Sequence, residues 1–144
     1  MLAILLPEQI CDNWDEMKGY IREASPDPPW ASSERMNDIL ESLLIGRMTA
    51  WISYDEDIKF DGLLIVSVYD DVEGVKTMLI HSLWSGSKVS RASWASGWEI
   101  IKRYAISRGC KKVVGYTKLE SVKKLVKSMS GSTEYTFCEI DLTM

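Results

Sequence analysis

The sequence predicts a mixed α/β domain, with a central sheet built from an antiparallel meander and one parallel crossover, and helices on both faces. Three observations carry this. The runs "MTAWISY", "DGLLIVSVY" and "KTMLIHSLW" read as strands, and the polar links between them are too short for anything but hairpins. The stretch from Leu63 to Val68 is almost unbroken in apolar residues, as in a strand covered on both faces. Beyond the third run come "SGSKVSRASW", a helical segment reaching Gly109, and the strand-like "KKVVGYT". That order makes a βαβ crossover, which should be right-handed.

The elements follow in order. "MLAIL" opens the chain as a short strand. "PEQICDNWDEMKGYIREA" begins with proline, which suits a first helical turn, and repeats Ile10, Trp14, Met17 and Ile21 at helical spacing. "SPDPPWAS" has three prolines and must turn. In "SERMNDILESLLIGR" a serine supplies the N-cap, Met36, Ile39, Leu40, Leu43 and Leu44 form the apolar stripe, and Gly46 ends the helix. The three strands come next. The crossover helix presents Trp94, Trp98, Ile101 and Ala105 on one face. "LESVKKLVKSM" is a basic amphipathic helix with Leu119, Val122, Leu125, Val126 and Met129 inward, and Lys123, Lys124 and Lys127 outward. "GSTEYTFCEIDL" closes as a turn and a last alternating strand. The six tryptophans divide into Trp14, Trp51 and Trp98 on core faces, and Trp30, Trp84 and Trp94 beside loops, where exposed rings could serve an acceptor or a protein contact.

At 144 residues the chain is one domain, spanning 1–144. No apolar run reaches the ~20 residues that span a bilayer, and "MLAILLPEQI" lacks the basic start of a signal peptide, so a cytoplasmic protein without membrane contact is expected. Cys11, Cys110 and Cys138 have no metal-ligand spacing and read as buried free thiols, so no metal is expected. The net charge of −4 conceals a division: residues 1–85 carry −10, residues 86–127 carry +9, and the remainder −3. A basic block can attract a polyanion, or can simply be the solvated face of two helices. With no reading motif and an acidic total, nucleic acid is not the expected partner.

Small residues and two cations in "SGSKVSRASW", at a strand-to-helix turn, are what a phosphate cradle requires. Together with "ICDNWDEMKGYI", "ERMNDILESLLIGRMTAWISY" and "IIKRYAISRGCKKVVGY", the order of elements resembles the GCN5-related N-acetyltransferase (GNAT) superfamily, most closely small acetyltransferase-like proteins of phages and prophages. The resemblance implies the acyl-CoA N-acyltransferase fold and acetyl-CoA as cofactor. It also implies an amine acceptor, or a host or virion protein as partner, and it leaves a homodimer and a virion-associated location open.

In that family the cofactor's pyrophosphate lies on amides at the start of the crossover helix, within a pattern of Arg or Gln, two residues, Gly, one residue, then Gly or Ala. Those positions fall here on Val89, Ala92 and Trp94, all departures from the pattern. A shifted cradle would use Trp84, Ser85, Gly86, Ser87, Lys88, Arg91 and Ala92. The family's usual acid, a tyrosine, falls on Val126. Tyr116 is the nearest substitute acid, and His81, the single histidine, is the candidate base. These departures equally fit a protein that keeps the fold and works by protein contact without catalysis. Asp70, Asp71 and Glu73 cluster where hairpin turn chemistry places carboxylates.

Overall fold

A computed structural model describes residues 2–24, 33–54, 57, 60–86, 91–116, 120–134, 138, 140, 142 and 143. Its elements are β1 (Leu2–Ile4), α1 (Pro7–Ala24), α2 (Ser33–Leu44), β2 (Met48–Tyr54), β3 (Phe60–Asp70), β4 (Lys76–Ser85), α3 (Arg91–Ser107), β5 (Lys112–Gly115) and α4 (Glu120–Ser128). The five strands lie side by side in chain order. The first three pairings are antiparallel and β4 with β5 is parallel, so α3 is the crossover the sequence called for.

The two-residue period of a strand sorts the core into two layers. Ala50, Ile52, Leu63 and Ile65 point to one face, where they bury Ile10, Trp14, Met17 and Ile21 of α1 and Met36, Ile39 and Leu43 of α2. Their sequence neighbours Trp51, Leu64 and Val66 point to the other, and with Met78 they bury Ile101 and Ala105 of α3. A strand such as β3 therefore needs apolar residues at successive positions, which is why its sequence does not alternate.

Several helix ends are set by backbone chemistry. Gly46 follows α2 at φ +82, a left-handed value that a side chain resists. After α3, Gly109 has φ +81 and the Cys110 N–H donates to the Ala105 carbonyl at 2.9 Å, a Schellman closure. In the β3–β4 turn the Asp71 carboxylate accepts the amides of Glu73 and Val75, each at 2.9 Å. Its second oxygen pairs with Lys112 Nζ at 2.5 Å, tying that turn to the start of β5. The Lys112 hydrogen bond and the two turn amides hold the Asp71 carboxyl below its ordinary range.

Some expectations need correction. Leu44 is exposed, because the stripe of α2 closes on Leu43 and the next residue already turns outward. On α4, Leu125 and Met129 are exposed and Val122 and Val126 half-buried, since among the described residues neither core layer includes this helix. Cys11 and Cys138 are exposed and only Cys110 is buried; Cys11 follows the inward Ile10 and so faces out. Trp14 and Trp51 are buried as expected, while Trp98 is half-buried. The proline-rich turn with Trp30, and most of the expected closing strand, lie outside the described residues; Ile140 and Leu142 are described and exposed.

Candidate functional site

The site is built on an irregularity in β4. Val66 of β3 pairs with Ile80, and Ile65 with Ser82, so His81 is an extra residue in the ladder. Such a bulge sharpens the local twist and bends the strand that carries it. It also sends two successive side chains, His81 and Ser82, toward α2, where strict alternation would separate them. The parallel ladder of β4 with β5 ends at the same level: its last pair is Ile80 with Gly115. Past that pair β4 runs on to Ser85, still bonded to β3, and among the described residues nothing pairs with its other edge. The two parallel strands thus stop pairing at the bulge, leaving a wedge in which, among the described residues, the backbone edge of β4 has no strand partner.

His81 is half-buried in this wedge. Its Nε2 lies 2.7 Å from Arg35 Nη2 of α2, and its Nδ1 lies 3.0 Å from the Oγ of buried Ser82. Burial, and next the Arg35 charge, push the imidazole pKa below its ordinary value. Tyr116, the residue after Gly115, occupies the corresponding place on the opposite strand and is 73% exposed. Both candidate catalytic residues therefore fall one position past the last β4–β5 pair.

The candidate cradle divides. Trp84 points to the α1 side, where its ring stacks on Tyr20 with centroids 3.9 Å apart and its Nε1–H donates to Glu23 at 2.9 Å. The sequence reading assigned it a weak packing role and a place in the candidate cradle; the structure shows it packed as a clamp between β4 and α1. Tyr20 in turn donates to Glu16 at 2.6 Å, and that bond, with some burial, pushes its pKa up to about 12. Ser85 is exposed and pairs with Gly62 as the last residue of β4. The Gly86 amide donates to the Asp61 carbonyl at 2.8 Å, so it continues the β3–β4 ladder and is not an available phosphate donor. Ser87, Lys88 and Val89 lie outside the described residues. Arg91 and Ala92 are the first two residues of α3, so their amides are among those a helix leaves without internal acceptors. Trp94 is the fourth helical residue, already within the ladder of hydrogen bonds.

The sequence reading missed Arg35. Nothing in "SSERMND" distinguishes it from a solvated helix residue, and its contact with His81 spans 46 positions. Among the described residues no group of three or more metal-ligating side chains occurs, and no helix is long and apolar enough to cross a membrane.

Comparison with known proteins identifies the architecture. No family model and no curated protein matches the chain. Among solved structures, AAC(6')-Iy in complex with the bisubstrate analogue CoA-S-monomethyl-acetylneamine aligns at a TM-score of 0.73 and 12% identity, covering 98% of this chain and 96% of that one. A predicted acetyltransferase with acetyl-CoA from Clostridium acetobutylicum aligns at 0.73 and 12%, covering 99% and 96%. Glucosamine-6-phosphate N-acetyltransferase from Arabidopsis thaliana aligns at 0.69 and 13%, covering 99% and 97%. The chain has the GNAT acyl-CoA N-acyltransferase fold over nearly its full length.

Proposed function

We propose that this protein is an acetyl-CoA-dependent N-acetyltransferase acting on a primary amine. The observation that carries the reading is the wedge: a bulge at His81 coincides with the end of the β4–β5 ladder, and among the described residues nothing pairs with that edge of β4 from Ser82 to Ser85. An extended chain bearing amide groups, such as the pantetheine arm of coenzyme A, is what such an edge can hold. The residues present fit that ligand. The β4 edge would take the arm, and the amides of Arg91 and Ala92 at the start of α3 would face its pyrophosphate.

When bound, acetyl-CoA supplies an acyl thioester, whose carbonyl carbon forms a bond to an amine nitrogen as its bond to sulfur breaks. The protein's part is to manage two protons. His81, kept neutral by burial, offers a site at Nε2 for the proton that an ammonium must lose before its nitrogen can attack. Tyr116 carries a phenolic proton at the other side of the wedge, where a departing thiolate would need one.

We also place the chain with phage- and prophage-encoded relatives, in the cytoplasm of the host or on the virion. Support for this is the resemblance of "ERMNDILESLLIGRMTAWISY" and its companion segments. Those relatives leave a second reading, a non-catalytic fold that binds protein, and the committed Gly86 amide favours it over an intact cradle.

Calorimetric titration with acetyl-CoA separates the two. The enzyme reading expects saturable heat and a raised Tm, with acetylated product from a primary amine. Absence of heat and of thermal stabilisation at millimolar acetyl-CoA overturns it.

A further inference from the structure

The aromatic cluster between α1 and the end of β4 has no part in the proton transfers, yet it is bordered by charge. Tyr20 lies against Trp84 at 3.9 Å and Phe60 at 5.1 Å between ring centroids, and all three rings are half-buried, so part of this apolar surface meets solvent. Both polar ring atoms are tied to carboxylates: Tyr20 O–H donates to Glu16 at 2.6 Å, and Trp84 Nε1–H donates to Glu23 at 2.9 Å. Glu16 and Glu23 are exposed, and both charges reach the Tyr20 hydroxyl, where they add to the Glu16 hydrogen bond and burial in raising its pKa. Gly19 shares their stripe of α1 and leaves room between them, since a Cβ there would meet nothing within 4 Å. Two carboxylates on one aromatic surface form the combination that holds an organic cation.

We propose that this surface is a subsite for the second ammonium of a polyamine acceptor whose reacting amine lies at His81. This rests on the acetyltransferase reading and names its acceptor class. His81 is turned toward α2 and Trp84 toward α1, so both lie on the same face of the sheet. They are three residues apart on β4, which places them roughly 10 Å from each other. The two ends of that span differ electrically. Arg35 lies 2.7 Å from the imidazole, and its charge, after burial, already lowers the His81 pKa. A like charge disfavours an ammonium, so an amine bound there is biased toward its neutral form. Glu16 and Glu23 favour the charged form at the other end. An acceptor with amines at both ends is thereby sorted, with the neutral nitrogen beside His81 and the ammonium on the aromatic surface.

Calorimetric titration of the full chain with spermidine and with butylamine tests this. Spermidine, whose outer nitrogens are about as far apart when extended, should bind about tenfold more tightly than butylamine, which has no second cation. The double variant Glu16→Gln, Glu23→Gln should lose that advantage. Each glutamine keeps an acceptor for the ring hydrogen it replaces, so Tm should change by less than about 2 °C, which separates lost charge from a misfolded chain. The double variant Asp70→Asn, Glu73→Gln removes as much charge from the hairpin at the opposite end of β4 and should leave spermidine affinity unchanged.

Equal affinity for spermidine and butylamine, or an equal loss in the two double variants, overturns the proposal. So does binding of trilysine without binding of spermidine, which would make the occupant a basic polypeptide. Acetyl-CoA titration of the same sample keeps the two readings apart. Its failure removes the enzyme but leaves a spermidine site that depends on Glu16 and Glu23 standing, whereas its success without a preference for spermidine removes only the subsite.

Discussion

Replacing Trp84 tests whether it belongs to the cofactor site or to the packing of α1. Its ring is stacked on Tyr20 at 3.9 Å with an interplanar angle of 21°, and Phe60 stacks on Tyr20 at 5.1 Å, so Tyr20 links two aromatic rings on the sheet. A half-buried tryptophan covers about 150 Å² that alanine cannot, which at about 25 cal/mol per Å² contributes up to about 4 kcal/mol. A compact unfolded chain reduces that to about 3 kcal/mol. Loss of the stacked pair adds about 1 kcal/mol. The indole bond to Glu23 lies at the surface, so its loss adds less than about 1 kcal/mol. We therefore expect Trp84→Ala to lower stability by about 4 kcal/mol, and Trp84→Phe, which keeps a stacked ring, by about 1 kcal/mol. Urea denaturation with an unchanged m-value measures both, and a double-mutant cycle with Tyr20→Ala should recover a coupling of about 1 kcal/mol. The phenylalanine variant should titrate acetyl-CoA as the wild type does. A tenfold loss of acetyl-CoA affinity in Trp84→Phe, with stability unchanged, would refute the packing role and return Trp84 to the cradle.

Three other outcomes are expected. Ile65 is fully buried on the central strand, so Ile65→Ala should cost about 3–4 kcal/mol in denaturant titration, with a value under about 1 kcal/mol contradicting a strand covered on both faces. Gly109 is held at φ +81, so Gly109→Ala should lower stability by about 1 kcal/mol, read as a fall of roughly 3 °C in Tm. The pH dependence has a defined sign at both titrating sites. His81 has a folded pKa below its ordinary 6.5, so below pH 6.5 the unfolded chain takes up a proton that the folded chain refuses. Stability from this source is whole above pH 6.5 and is lost as pH falls to the folded pKa; His81→Gln should flatten the Tm profile in that window. Asp71, also lowered, keeps its contribution above pH 3.8 and loses it in stronger acid, and Asp71→Asn should remove that second decline.

Much of the fold was legible because apolar periodicity reports directly on burial. The repeat of Ile10, Trp14, Met17 and Ile21 specified α1 to its boundaries, since one stripe of a helix must meet the sheet. The near-continuous run in β3 specified a central strand for the same reason. Legibility failed where an apolar residue has no assigned layer to meet. Leu125 and Met129 have inward spacing, yet spacing states only which residues share a face, not whether anything lies opposite. The site was half legible. His81 and Tyr116 could be placed on adjacent strands from the strand pattern alone, but a bulge leaves no mark in "MLIHSLW". It appears only in the register, where two residues of β4 stand against one step of β3. Arg35 was out of reach because its contact with His81 joins positions 46 residues apart, and its sequence context is that of any charged helix position.

The charge division along the chain acquires its meaning from the sheet. The acidic first half supplies α1 and α2, which cover one face, and the basic segment begins as the chain crosses to α3 on the other. The wedge between β4 and β5 lies where these halves meet, with Arg35 and His81 on the α2 side and the start of α3 beyond the end of β4. On the proposed function, such a site would take two differently charged ligands. A polyanionic cofactor is favoured by the basic crossover and opposed by the acidic helices, while an ammonium-bearing acceptor experiences the reverse. On the proposed function, that division of charge would order the two ligands on opposite sides before any contact forms. The bulge makes this economical in structure: one inserted residue coincides with the end of the β4–β5 pairing, turns the imidazole toward α2 and, among the described residues, leaves the continuing edge of β4 without a strand partner.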